Sequence, residues 1–188
     1  DHQRWVVSLS KAGKRLVMRD CNLSGLQMKG VDWSAAEFHN VDFQDVVLSN
    51  AKLSMTTFAN CRMGNADLSK AEARGANFSG CFLVGANLSE ADFTFVTSIQ
   101  DARTRWRACF EGADLRSAVM AATKLGAARM KGANLAGAVL VGAFLVGVDF
   151  TEANLTGADF TGAEIEGITF AGADLTNAKG LPKTALGG

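Results

Sequence analysis

Few side chains in this chain are able to do chemistry, and their spacing suits contact better than catalysis. The two histidines, His2 and His39, stand far apart in the sequence, and His39 is expected on a solvated surface. No glycine-rich loop ending in Lys-Ser or Lys-Thr, no G-x-S-x-G elbow and no H-E-x-x-H pair occurs. Four cysteines (Cys21, Cys61, Cys81, Cys109) contain no C-x-x-C spacing, so they do not spell a metal site. Two other groupings could bind. Arg103, Arg105, Trp106 and Arg107 alternate cation and aromatic, a combination suited to anchoring an anionic or aromatic partner. Val119, Val139, Val141, Phe144 and Val146 put apolar side chains where their surroundings are polar, which suits a contact surface. The expectation is a protein without catalysis, cofactor or metal, whose work is holding a protein partner of unknown identity.

The chain has 188 residues, 48% hydrophobic and 20% charged, enough for a substantial core. Nineteen basic and nineteen acidic residues cancel, so bulk charge recruits neither nucleic acid nor an anionic membrane. The longest apolar run, residues 136–148, is broken by glycines and too short to span a bilayer. The chain opens at Asp1 rather than methionine, which fits a processed protein or an excised domain, and reduced thiols fit a cytoplasmic location. Twenty glycines, one proline and no tyrosine make a biased alphabet, a cue to look for internal repeats.

The repeat has a period of five. Large apolar residues recur from Met18 through Leu23, Met28, Trp33 and Phe38 to Phe93, with Ala73 the one small member, and again from Phe110 to Leu175. Two residues before most of these centres stands a small residue, most often alanine. On an α-helix, steps of five scatter side chains around the circumference, and on a flat strand each step flips the face. A short extended segment followed by a corner at every fifth residue is the solution that gathers all the centres. The chain then closes a four-sided coil, with the centre and the residue two before it pointing inward and three residues facing water.

The pattern A-[DN]-[LF]-x-x, as in Ala86-Asn87-Leu88 and Ala158-Asp159-Phe160, resembles the pentapeptide-repeat family over about residues 16–178. That resemblance implies an all-β fold: a right-handed quadrilateral parallel β-helix with four repeats per coil and about seven to eight coils. Residues 1–15 are expected to form a capping helix, with Trp5, Leu9 and Ala12 at helical spacing and Gly13 as a stop. Residues 16–178 form the β-helix, and 179–188, where Pro182 cannot continue a ladder, cap it or tail off.

The register breaks once. Phe93 and Phe110 are seventeen residues apart, two more than a multiple of five, so the stretch 94–109 carries two extra residues. Either a two-residue bulge interrupts one wall or a longer loop leaves it, and Arg103 to Arg107 lie inside that stretch. Val119 should stand beside Val139, twenty residues on, and with Val141, Phe144 and Val146 it forms a surface suited to a homodimer. Phe82 with Val84 is a smaller case of the same kind.

Charge is polarised along the chain. Residues 132–178 hold six acids and no Lys or Arg, whereas residues 1–131 hold seventeen bases against thirteen acids. Some quinolone-resistance members of the family are understood to mimic DNA and engage DNA gyrase, which implies an acidic wall and projecting loops. The interruption here is basic rather than acidic, so that role is the alternative to a scaffold. Direct nucleic-acid binding is opposed by the zero net charge.

Overall fold

The chain turns a corner after almost every large apolar residue, and the backbone two positions beyond it shows why. There φ is positive: +53° at Asn40, +59° at Lys70, +67° at Gly85. The following amide closes the corner by donating to the carbonyl of the centre, as Ala86 N–H does to Leu83 O at 3.0 Å and Ala91 to Leu88 at 3.1 Å. A positive φ at the third residue of such a hydrogen-bonded turn is the type II arrangement, which favours Gly and Asn. Asp, Ala, Lys and Glu also occupy it here. The coil's other contacts hold these residues in a conformation they would otherwise avoid.

The computed structural model describes residues 1–8, 11–101 and 103–182. Four corners return the chain to its starting wall, twenty residues on. The strands β1 (Val17–Arg19), β2 (Glu37–His39) and β3 (Thr57–Ala59) form a parallel three-stranded sheet with Met18 beside Phe38 and Phe38 beside Phe58. Elsewhere each wall is held by single paired residues, those just before the centres. Asn22, Asp42, Arg62 and Phe82 make one ladder; Gln27, Val47, Asp67 and Asn87 a second; Asp32, Lys52, Glu72 and Asp92 a third. The bonds are those of a parallel ladder: Leu23 N–H donates to Asp42 O at 2.8 Å, and Asp42 N–H to Cys21 O at 3.0 Å.

The inward residues build one continuous core. Phe38, Phe58, Phe78 and Phe110 stack rung upon rung, with centroid separations of 5.2, 4.8 and 5.1 Å and interplanar angles of 15°, 17° and 6°. Those separations follow the spacing of hydrogen-bonded strands, about 4.8 Å. Each large buried side chain contributes roughly 1.5–3 kcal/mol before chain entropy offsets most of the total. Small polar residues are tolerated inside because each finds the same acceptor, the carbonyl of a centre on the preceding rung. Thr56 Oγ1 donates to Trp33 O at 2.8 Å, Cys81 Sγ to Phe58 O at 2.9 Å and Thr123 Oγ1 to Leu88 O at 2.9 Å. All four cysteines are free, with Cys61 and Cys81 fully buried, and burial beside a second thiol pushes Cys81 upward and keeps it protonated.

The interruption is a loop that leaves the wall. Across it partners step by 32 positions instead of 20, Asn77 pairing with Cys109 and Phe82 with Asp114. Twelve residues are therefore inserted between one wall and the next. The expectation of two extra residues is corrected on this point. The spacing of seventeen is one repeat plus twelve, not three repeats plus two, because Phe110 takes the wall directly after that of Phe93. The stack of Phe78 on Phe110 passes the insertion without a gap.

At the N-terminus, α1 (His2–Val7) lies against the first rung: Leu16 N–H donates to His2 Nδ1 at 3.0 Å, and Gln3 Nε2 to Asp32 O at 3.4 Å. The helix is shorter than its spacing predicted. Ala12 lies in a bend, and Leu9 falls outside the described residues. At the other end pairing continues to Lys179, opposite Asp159. Gly180, at φ +75°, then crosses the backbone of Phe160 and Thr161 where no Cβ would fit, and Leu181 packs on the core.

Candidate functional site

The inserted residues fold on themselves. β4 (Val96–Thr97) pairs antiparallel with β5 (Arg105–Trp106), Val96 opposite Trp106 and Thr97 opposite Arg105. Ser98 N–H closes the ladder on Thr104 O at 2.9 Å. Asp101 shapes the tip by accepting from Arg103 N–H and from Thr104 Oγ1, each at 2.9 Å. Those bonds, the backbone one from Arg103 first, draw its carboxyl below the usual Asp value. The hairpin does not stand free of the wall. Trp106 carbonyl and Cβ would lie 3.0 and 3.4 Å from a Cβ at Gly75, so the absent side chain at that corner makes room for Trp106. The indole remains 43% exposed.

Arg105 lies over the Phe95 ring, its guanidinium carbon 4.6 Å from the centroid. Arg103, Arg105 and Arg107 are all exposed. Between hairpin and wall runs a groove of about 640 Å³ lined by Arg105, Trp106 and Arg107 on one side and Asn77, Ser79, Cys109, Glu111 and Arg129 on the other. Arg129 Nε donates to Glu111 Oε1 at 2.8 Å, and Ser79 Oγ stands 2.6 Å from Asn77 Oδ1 and 3.1 Å from Cys109 Sγ. Among the described residues, none of the three hairpin arginines makes an ion pair. Arginines of the walls do: Arg62 with Asp42 at 2.6 Å, and Arg74 with Asp92 and Arg116 with Asp114 at 2.7 Å.

The second grouping lies on the walls. Val119 and Val139 pair on neighbouring rungs, Val141 stands on the corner that follows, and Phe144 belongs to the next wall, between Lys124 and Glu164. Val119, Val141 and Phe144 are exposed, at 36–38%, while Val139 and Val146 are half-buried. The Phe144 ring lies back over Gly126, its Cε1 3.2 Å from where a Cβ would stand, and Thr94 Cγ2 lies 3.8 Å from the same point. Thr94 is the foot of the hairpin, so the apolar grouping and the hairpin adjoin at that corner. Phe82, at 54%, and Val84, at 37%, are exposed on a different wall.

Sequence reasoning missed two hairpin residues. Phe95 carries Arg105, and Ile99, beyond the paired strands, is fully exposed. The signal for Ile99 was a lone aliphatic residue in an otherwise polar run, outside either register. Among the described residues there is no group of three or more His, Cys, Asp or Glu placed to hold a metal, and no helix long and apolar enough to cross a membrane.

The repeat pattern described as "Pentapeptide repeats" matches in eight copies, over residues 17–54, 54–89, 74–97, 128–167 and 153–179. The chain belongs to the pentapeptide-repeat family. The unmatched stretch, 98–127, holds most of the hairpin and the first rung after it. No curated protein sequence matches the chain. Similar solved structures include a trypsin-treated QnrB1, a plasmid-mediated fluoroquinolone resistance protein. It is 23% identical with a TM-score of 0.37, over 88% of this chain and 91% of that one. HetL of the cyanobacterium Nostoc, a pentapeptide repeat protein involved in heterocyst differentiation regulation, is 19% identical with a TM-score of 0.28, over 94% and 92%. Rfr23 of the cyanobacterium Cyanothece, also a pentapeptide repeat protein, is 17% identical with a TM-score of 0.28, over 94% of each chain.

Proposed function

We propose that this pentapeptide-repeat chain is a non-catalytic scaffold that self-associates through its apolar walls and presents its remaining surface to a protein partner. We read the ladders as a right-handed quadrilateral coil of about seven to eight turns between the N-terminal cap, residues 1–15, and the C-terminal segment, 179–188. The observation that carries the proposal is the Val119, Val139, Val141 and Phe144 grouping. Its members stand where this repeat mostly places polar or charged residues, and they adjoin one another, whereas other apolar residues at such positions, among them Val17, Val47 and Phe82, are scattered over other rungs. A rigid apolar surface binds without first losing conformational freedom. Four free cysteines fit a reducing compartment such as the cytoplasm.

The DNA-mimic alternative calls for an acidic wall. The ladder with most charge instead mixes signs, Lys52 and Lys124 standing among Asp32, Glu72, Asp92 and Glu164, with Phe144 between Lys124 and Glu164. The scaffold reading is preferred for that reason.

Sedimentation equilibrium of the parent beside a Val139→Lys, Phe144→Lys double variant tests the proposal. A dimeric parent and a folded monomeric variant are expected. A parent that stays monomeric at tens of micromolar would sink the self-association reading, since a stable interface of about 800 Å² per partner would hold at that concentration.

A further inference from the structure

We propose that the groove between the hairpin and the wall of Asn77 and Arg129 binds an extended, carboxylate-rich peptide segment of a partner protein. The inference rests on the reading of the chain as an interaction scaffold and gives its second surface a ligand class.

Charge carries the argument first. Four of the wall arginines, Arg62, Arg74, Arg116 and Arg129, each hold a carboxylate within 2.8 Å, Arg19 on the first rung being the exception among the described residues. Among the described residues the hairpin arginines hold no carboxylate, and Arg105 and Arg107 lie on one side of a groove whose one acid among those residues, Glu111, is already engaged by Arg129. Guanidinium groups without carboxylates, held beside a wall, are donors awaiting planar anionic acceptors.

Positioning comes second. Arg105 is steadied by the Phe95 ring, and the Trp106 backbone is seated at Gly75, so the cations are presented on an ordered element. The opposite side offers Asn77 and Ser79, polar groups suited to a peptide backbone. The half-exposed indole of Trp106 gives the apolar stem of an Asp or Glu side chain something to cover.

Size and total charge favour a peptide over a nucleic acid. A groove of about 640 Å³ accommodates a few residues. A phosphate backbone running beyond it would meet a chain with zero net charge.

The test is fluorescence anisotropy of the full chain with a labelled decapeptide of alternating aspartate and glutamate at low salt. Saturable binding is expected, weakened at least about tenfold by Arg105→Glu with Arg107→Glu and changed less than about twofold by Arg116→Glu on another wall. Removal of residues 95–106 should abolish binding while the thermal unfolding transition persists. Absence of saturable binding by the parent would overturn the proposal. So would a double charge reversal without effect, or tighter binding of an oligothymidylate of equal charge, which would assign the groove to nucleic acid. The same titration on the Val139→Lys, Phe144→Lys variant separates the two readings: a monomer that still binds the peptide keeps the groove and leaves self-association to be judged by sedimentation alone.

Discussion

The walls and the hairpin treat arginine differently. On the walls most arginines lie against a carboxylate of their own or a neighbouring rung, as Arg74 does with Asp92 and Arg129 with Glu111, Arg19 being the exception among the described residues. Aspartates in both regions accept from a backbone amide two residues on, as Asp92 does from Thr94, Asp149 from Thr151 and Asp101 from Arg103. On the hairpin the arginines lean on an aromatic ring or project into water, and an isoleucine stands fully exposed. The difference teaches where to look for binding. A wall whose polar groups satisfy one another has little to gain from a partner, apart from the valine and phenylalanine patch. The hairpin has unmet donors and bare apolar surface, and the wall beneath it supplies the rigidity.

Three experiments would break or sharpen that comparison. The largest effect belongs to the core under the walls. Phe78→Ala removes a ring stacked between Phe58 and Phe110, 4.8 and 5.1 Å away, in a column with no room to collapse. A loss of about 3–5 kcal/mol is expected in urea unfolding. A loss under about 1 kcal/mol would mean that the rungs behave as separable units rather than one core.

Acid comes next, and it should act on the walls. Asp92 has its carboxyl below the ordinary value: burial pushes it up, and hydrogen bonds from Thr94 and Arg74 outweigh that. Asp114 is lowered by its Arg116 hydrogen bonds against some burial, and Asp149 by those from Thr151. A carboxyl more acidic in the folded chain binds its proton more readily after unfolding. Its stabilisation is therefore complete above the unfolded value, near 3.8, and is lost as pH falls through the folded one. The urea midpoint should be flat from about pH 7 to 5 and drop near pH 3. A midpoint unchanged at about pH 3 would show that the aspartates contribute nothing through charge.

The smallest effect is expected from the hairpin. Removing residues 95–106 joins Thr94 to Arg107 and leaves Ala91-Asp92-Phe93-Thr94-Arg107-Ala108-Cys109-Phe110, an unbroken repeat. Arg107 then takes the positive-φ corner that Lys70 and Glu90 tolerate elsewhere. The thermal midpoint should move by only a few degrees. Collapse of the fold on this deletion would show that the hairpin helps hold the coil, and the contrast drawn above would fail.

The core positions were legible in the sequence because a period of five leaves one compact solution. Phe38, Phe58, Leu88 and Leu145 lie inside as their register demands, and Val119 pairs with Val139 because twenty residues make one circuit. The candidate site was legible only as composition. Arg103 to Arg107 stood out as basic and aromatic, but their neighbours did not. That Phe95 carries Arg105, and that Gly75 admits Trp106, depends on contacts between residues distant from one another in the repeat.

The sequence by itself determined the repeat, the inward residues, the glycine- and asparagine-rich corners and the place where the pattern fails. Only the tertiary structure decided what the failure was. Counted in fives, seventeen residues leave a remainder of two, and a remainder is the same whether one repeat or three have passed. Pairing between rungs removes the ambiguity, because a backbone amide can reach only the strand beside it. Asn77 opposite Cys109, with Phe78 on Phe110, makes the interruption a twelve-residue hairpin, and Arg105 with the neighbouring Arg107 lines a groove as a result.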